Sequence, residues 1–186
     1  MSLSLTQKRF LSSLNPLAIA GVVYFLILFR STSDPIMPSV IREWDILLPF
    51  AVYIGQRRNL LEGVLLVLFI SHLYSLASVA PIGVFAIHYC AVFFAARFLI
   101  YVVYADRIGS IWALLFVLAL ASRIVYPFIA GGFGHGWPLF SFRNLLFFGF
   151  FINSTLGVVI YWGITWIDRL TFKIAPRNIE LGEGQI

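Results

Sequence analysis

The chain has 186 residues, of which 61% are hydrophobic and 11% charged, whereas a soluble domain of this size carries about 25% charged residues and 45 to 50% apolar ones. One cysteine, Cys90, excludes a disulfide scaffold and a zinc module. The formal net charge of +5 comes from 13 Lys and Arg against 8 Asp and Glu; these cations sit mostly at the ends of apolar runs rather than on the clustered face that nucleic-acid binding needs, so the composition is that of a chain living in a bilayer.

A helix crossing a hydrocarbon core of about 30 Å needs roughly 20 mostly apolar residues. The first uncharged run, 10–29, follows Lys8 and Arg9. Its stretch from Leu17 to Phe29 resembles a signal peptide's apolar region, but no A-x-A site follows and the chain continues Arg30-Ser31-Thr32-Ser33-Asp34-Pro35, which reads as an uncleaved anchor. The next run, 46–54, would reach only about 14 Å as a helix. Extended back to Pro38 it reaches about 27 Å, but then takes in Arg42, Glu43 and Asp45 and holds Pro49 inside. It predicts a short, kinked second span whose charged start lies at the interface. Four further runs follow, 60–80, 82–104, 110–130 and 145–167, interrupted only by Glu62, Arg97 and Arg123. Residues 176–186 read as a disordered tail.

The expected fold is therefore all-α, a polytopic transmembrane bundle of six spans with the second one short, formed by residues 1–175, with both termini on the inner side. In that arrangement the inner side carries eight cations, Lys8, Arg9, Arg57, Arg58, Arg107, Arg169, Lys173 and Arg177, and the outer side three, Arg30, Arg42 and Arg143, which obeys the positive-inside bias. A five-span arrangement gives the same split, so the bias alone orients only the last four spans. Six spans are preferred because the flanks of the first helix usually dominate orientation, and five would send Lys8 and Arg9 across.

Enzyme signatures are missing: there is no G-x-S-x-G elbow, no H-E-x-x-H, no Walker lysine and no cysteine pair. Gly131-Gly132-Phe133-Gly134-His135-Gly136 lacks the Lys-Ser/Thr ending of a phosphate cradle and runs into Trp137-Pro138, so it reads as an interfacial loop. Ionisable and polar residues inside spans are costly and each is a functional candidate. Rise per residue puts His72, His88, Arg123 and Asn153 at a common depth of about 9 to 13 Å from the outer ends of their helices. Together they would form a polar pocket open outward, or simply interhelical hydrogen bonds with Arg123 snorkelling past Tyr126. At the inner face, Glu62 opens the third span and Arg97 lies about two turns from the end of the fourth, which suggests a structural ion pair. No cofactor or metal is expected.

The stretch 44–124 resembles MreD, the small integral-membrane subunit of the bacterial rod-shape system, or elongasome. The matching pattern is an apolar run, a short basic turn (Gly55-Gln56-Arg57-Arg58-Asn59), Glu62-Gly63 opening a long helix, and a polar patch from Ile70-Ser71-His72-Leu73-Tyr74-Ser75 to Gly83. Asn153 in a final span followed by Asp168-Arg169-Leu170 is similar to the family's closing helix, although the family usually has an aspartate where His72 stands. The resemblance implies a non-enzymatic scaffold of the bacterial inner membrane that binds a bitopic MreC-like protein and helps organise RodA, its penicillin-binding transpeptidase partner and, indirectly, MreB. The rival reading is the solute-binding S component of an energy-coupling-factor vitamin transporter, also six spans with a pocket near the outer face. Such subunits usually present Ala-x-x-x-Ala on the first helix, where this chain reads Leu17-Ala18-Ile19-Ala20-Gly21-Val22.

Overall fold

The computed structural model describes residues 4–33, 44–78, 83–99, 107–132 and 147–173. The secondary structure of these residues is entirely helical: α1 (Leu5–Ser33), α2 (Leu47–Arg57), α3 (Leu60–Leu76), α4 (Val84–Leu99), α5 (Ile108–Gly132) and α6 (Phe147–Leu170). Each expected apolar run overlaps one of these helices. Three of them, Leu5–Ser33, Ile108–Gly132 and Phe150–Leu170 within α6, are long and apolar enough to cross a membrane. The tail 176–186, residues Arg42, Glu43 and Arg143, and the glycine-rich stretch from Phe133 onward lie outside the described residues.

The short helix organises the rest. The long helices touch in the cyclic order α1, α3, α4, α5, α6 and back to α1, while α2 packs against α3, α4, α5 and α6. Ten consecutive residues of α2, Leu47 to Gln56, are buried. A helix of 11 residues is about 16 Å long, roughly half a hydrocarbon core, and one that is apolar and enclosed on every side belongs to the interior of a bundle. Phe50, Tyr53 and Ile54 of α2 meet Ile19 and Val23 of α1, Val67 and Ile70 of α3, Phe93 of α4, Leu115 of α5 and Ile164 of α6 in one core.

Local chemistry explains why α2 is short. It does not reach back to Pro38: Trp44 and Asp45 are non-helical, and Asp45 Oδ1 instead accepts from the backbone N–H groups of Leu47 at 3.1 Å and Leu48 at 3.2 Å. That capping fixes the start of the helix. Pro49 then falls in the first turn, where its missing N–H would have had no intrahelical partner, so it does not interrupt the helix. At the far end Arg58 and Asn59 are extended, and Asn59 is the N-cap of α3, so two residues turn the chain back.

Glycines set how closely α2 and α3 approach α4. A Cβ on Gly55 would lie 2.7 Å from the Phe93 carbonyl oxygen, and one on Gly63 would lie 2.6 Å from the Phe93 ring. The α4 backbone and the Phe93 ring occupy the space that those side chains would need. Facing outward, by contrast, are large apolar residues on every long helix, among them Leu17, Phe25, Leu61, Phe98, Phe128, Val159 and Trp166. An apolar exterior around a packed core is a surface made for lipid.

Candidate functional site

Polar side chains gather at the two ends of the bundle. At one end the beginning of α1, the end of α2, the beginning of α3 and the end of α6 meet around Asp168, which is 4% exposed. Asp168 Oδ1 accepts from Asn15 Nδ2 at 2.8 Å and from Arg58 Nη2, and its Oδ2 accepts from the Tyr53 hydroxyl. Asn15 is bifunctional: its Nδ2 also donates to Thr171 Oγ1 at 2.6 Å, and its Oδ1 accepts from Arg58 Nη2 at 2.6 Å. Around this hub, Lys173 Nζ pairs with Glu62 Oε1 at 2.9 Å, and Arg97 Nη1 donates to the Arg58 carbonyl at 2.8 Å.

The Arg58 side chain is fully enclosed, at 0% exposed, and pairs with a carboxylate that is itself buried. Removing two charges from water is expensive, and the attraction between them offsets that cost only where geometry and further hydrogen bonds are good. Asn15, Tyr53 and Thr171 contribute those bonds. The cluster is incomplete on the guanidinium side: Arg58 Nε and Nη1 have no hydrogen-bond partner among the described residues, and Nε stands 4.0 Å from Glu62 Oε1. With two donors on Oδ1 and one on Oδ2, the Asp168 carboxylate acts as a tie between α1, α2 and α6.

At the opposite end Asp45 is the centre. Besides capping α2, its Oδ1 accepts from the Tyr89 hydroxyl at 2.7 Å, and its backbone N–H donates to Asn153 Oδ1 at 2.9 Å, tying α2 to α4 and α6. Arg30 Nη1 donates to the Trp44 carbonyl at 2.6 Å and to the Tyr74 hydroxyl at 3.1 Å. Nearby, His88 Nε2 and Ser122 Oγ lie 2.7 Å apart between α4 and α5, and the His88 ring meets those of Tyr89 and Tyr126 edge-on, with centroids 4.9 and 5.3 Å apart.

The four residues of the expected polar layer are therefore distributed. His88 and Asn153 are both buried but bond to different partners, Ser122 and the Asp45 backbone. Arg123, next to Ser122, is half-buried, and His72 lies on the exposed face of α3. The two members of the expected inner pair are close to the same hub but do not pair with each other: Glu62 meets Lys173, and Arg97 meets a carbonyl. Sequence reasoning missed the residues that join the helices most directly. Arg58 counts there only as an orienting cation and as part of a basic turn, Asp168 only as part of a closing pattern, and Asn15 and Tyr53 not at all. Asn15 did carry a signal, as an amide inside an otherwise apolar run.

Comparison with protein families, curated proteins and solved structures finds no match for the chain.

Proposed function

We propose that this chain is a multi-pass scaffold of the bacterial inner membrane, an MreD-like subunit whose work is to hold partners rather than to transform or carry a small molecule. The observation that carries this reading is the filled centre: α2 occupies the interior of the helical ring with every residue from Leu47 to Gln56 buried. A packed axis favours recognition on the outer surface, where apolar and aromatic side chains are abundant, over a solute held inside. The partners in this reading are a bitopic MreC-like protein with one transmembrane helix, RodA with its penicillin-binding transpeptidase, and, indirectly, MreB.

The topology proposed with it is six membrane-inserted helices, the second one short, with both termini cytoplasmic. The hydrogen bonds support it geometrically. Asn15 and Asp168 mark one end of the bundle, and Arg30, Asp45 and Asn153 mark the other, so successive helices alternate in direction. The end bearing Lys8, Arg9, Arg57, Arg107 and Arg169 is then the inner one. In a Cys90→Ser background, a cysteine introduced at Arg107 is expected to resist a membrane-impermeant thiol reagent in intact cells and to react after permeabilisation. Labelling in intact cells would overturn the orientation.

Affinity purification from mild detergent with mass spectrometry, alongside microscopy of depleted cells, tests the function. Expected are co-purification of a single-span MreC-like protein and rounding of a rod-shaped host. Recovery of a coupling protein with an ATPase pair, with rods unchanged, would replace the scaffold reading by the vitamin-transporter one.

A further inference from the structure

The inner end of the bundle is strongly asymmetric in charge once its internal pairs are taken out. Among the described residues that end holds eight cations, Lys8, Arg9, Arg57, Arg58, Arg97, Arg107, Arg169 and Lys173, against two carboxylates, Glu62 and Asp168. Both carboxylates are engaged inside the fold, Asp168 by Arg58 and Glu62 by Lys173. Four of the cations are left at the surface. Lys8, Arg9, Arg107 and Arg169 are exposed on α1, at the start of α5 and at the end of α6, and none forms an ion pair with a described residue. Lys8 stands over the Phe172 ring at 5.6 Å, and Trp166 and Phe10 are exposed on the same helices, 62% and 64% respectively. Cations accompanied by amphipathic aromatic rings are the equipment of a headgroup layer. Among the described residues at the opposite end, Arg30 is half-buried and committed to Trp44 and Tyr74.

We propose that the collar formed by Lys8, Arg9, Arg107 and Arg169 is a docking surface for anionic phospholipid headgroups, so that the bundle collects acidic lipid around its inner end. The proposal rests on the membrane reading and adds a lipid class to it. Its physical basis is charge complementarity: each Lys or Arg near an anionic surface strengthens binding by roughly fivefold, within a Debye length. Because Asp168 and Glu62, the acidic groups at that end among the described residues, are engaged by Arg58 and Lys173, they do not neutralise the collar.

The test uses purified full-length protein reconstituted in nanodiscs of equal phosphatidylglycerol and phosphatidylcholine, with retained lipid measured by native mass spectrometry after release. The wild-type protein is expected to keep phosphatidylglycerol preferentially. Replacing the four collar residues with glutamine should lower that preference by more than about tenfold. The charge-preserving variant (Lys8→Arg with Arg9→Lys, Arg107→Lys and Arg169→Lys) should keep it, which separates loss of charge from loss of fold. Raising salt from about 0.1 to 1 M should weaken it as the screening length falls from about 10 to 3 Å. Equal retention of the two lipids by the wild type, or an unchanged preference in the glutamine variant, overturns the docking surface. Wild-type protein recovered in the soluble fraction of cells would overturn the membrane reading itself.

Discussion

An Arg58→Gln chain is expected to unfold about 3 to 5 kcal/mol more easily than the parent, and to accumulate poorly, because the substitution leaves the buried Asp168 carboxylate without its counter-charge. Tyr53 and Asn15 still donate to that carboxylate, but two neutral hydrogen bonds do not replace a guanidinium in an enclosed place. The double variant Arg58→Gln with Asp168→Asn removes both charges and should recover most of the loss, since replacing a buried pair as a whole is often close to neutral. Thermal unfolding in detergent, read by intrinsic tryptophan fluorescence, measures the difference. Equal destabilisation of the single and double variants would show that the hub holds the helices by shape and not by charge.

The second large effect is expected at Gly55. Gly55→Ala places a methyl group 2.7 Å from the Phe93 carbonyl oxygen and 3.2 Å from the Ala96 Cβ. The obstruction is backbone, which cannot swing aside as a flexible side chain would, so α2 must move off α4. Overpacking of this kind costs about 1 to 3 kcal/mol. Gly163→Ala on α6 is the matched control. It has nothing within 4 Å of the new Cβ, and the gain in helix propensity of up to about 1 kcal/mol gives it the opposite sign. The two midpoints of thermal unfolding should move in opposite directions, and a shift of the same sign and size in both would contradict the close approach of α2 and α4.

The helices were legible because composition and run length speak directly to apolar helices: the positions of the six described ones follow from where charge, glycine or proline bounds apolar sequence. The nature of α2 was less so. A run of nine apolar or small residues predicts a short span, and its enclosure shows only in the structure, where Phe50, Tyr53 and Gln56 are buried and α2 packs against four neighbouring helices. The polar ends were misjudged for a related reason. Depth along each helix can be counted, but facing cannot, since the apolar periodicity of a lipid-exposed helix is weak on both sides. Counting depth thus grouped His72 with His88, although one faces outward and the other is bonded to Ser122. Arg58 and Asp168 were obscured by lying at run ends, where charge is ordinarily explained by water and by orientation.

The enclosed second helix also constrains how such a chain can be made. Synthesis delivers α2 before α3, α4, α5 and α6, the four elements that surround it. At about 16 Å it is too short to rest stably across the hydrocarbon alone, and its contacts lie far along the chain, with Asp45 awaiting Asn153 and Arg58 awaiting Asp168. In the multi-pass arrangement proposed above, its contacts are complete only once the last helix has been made. A chain cut short before α6 would leave Arg58 without Asp168 and the Asp45 N–H without Asn153, so the second helix would lose the bonds that hold both of its ends.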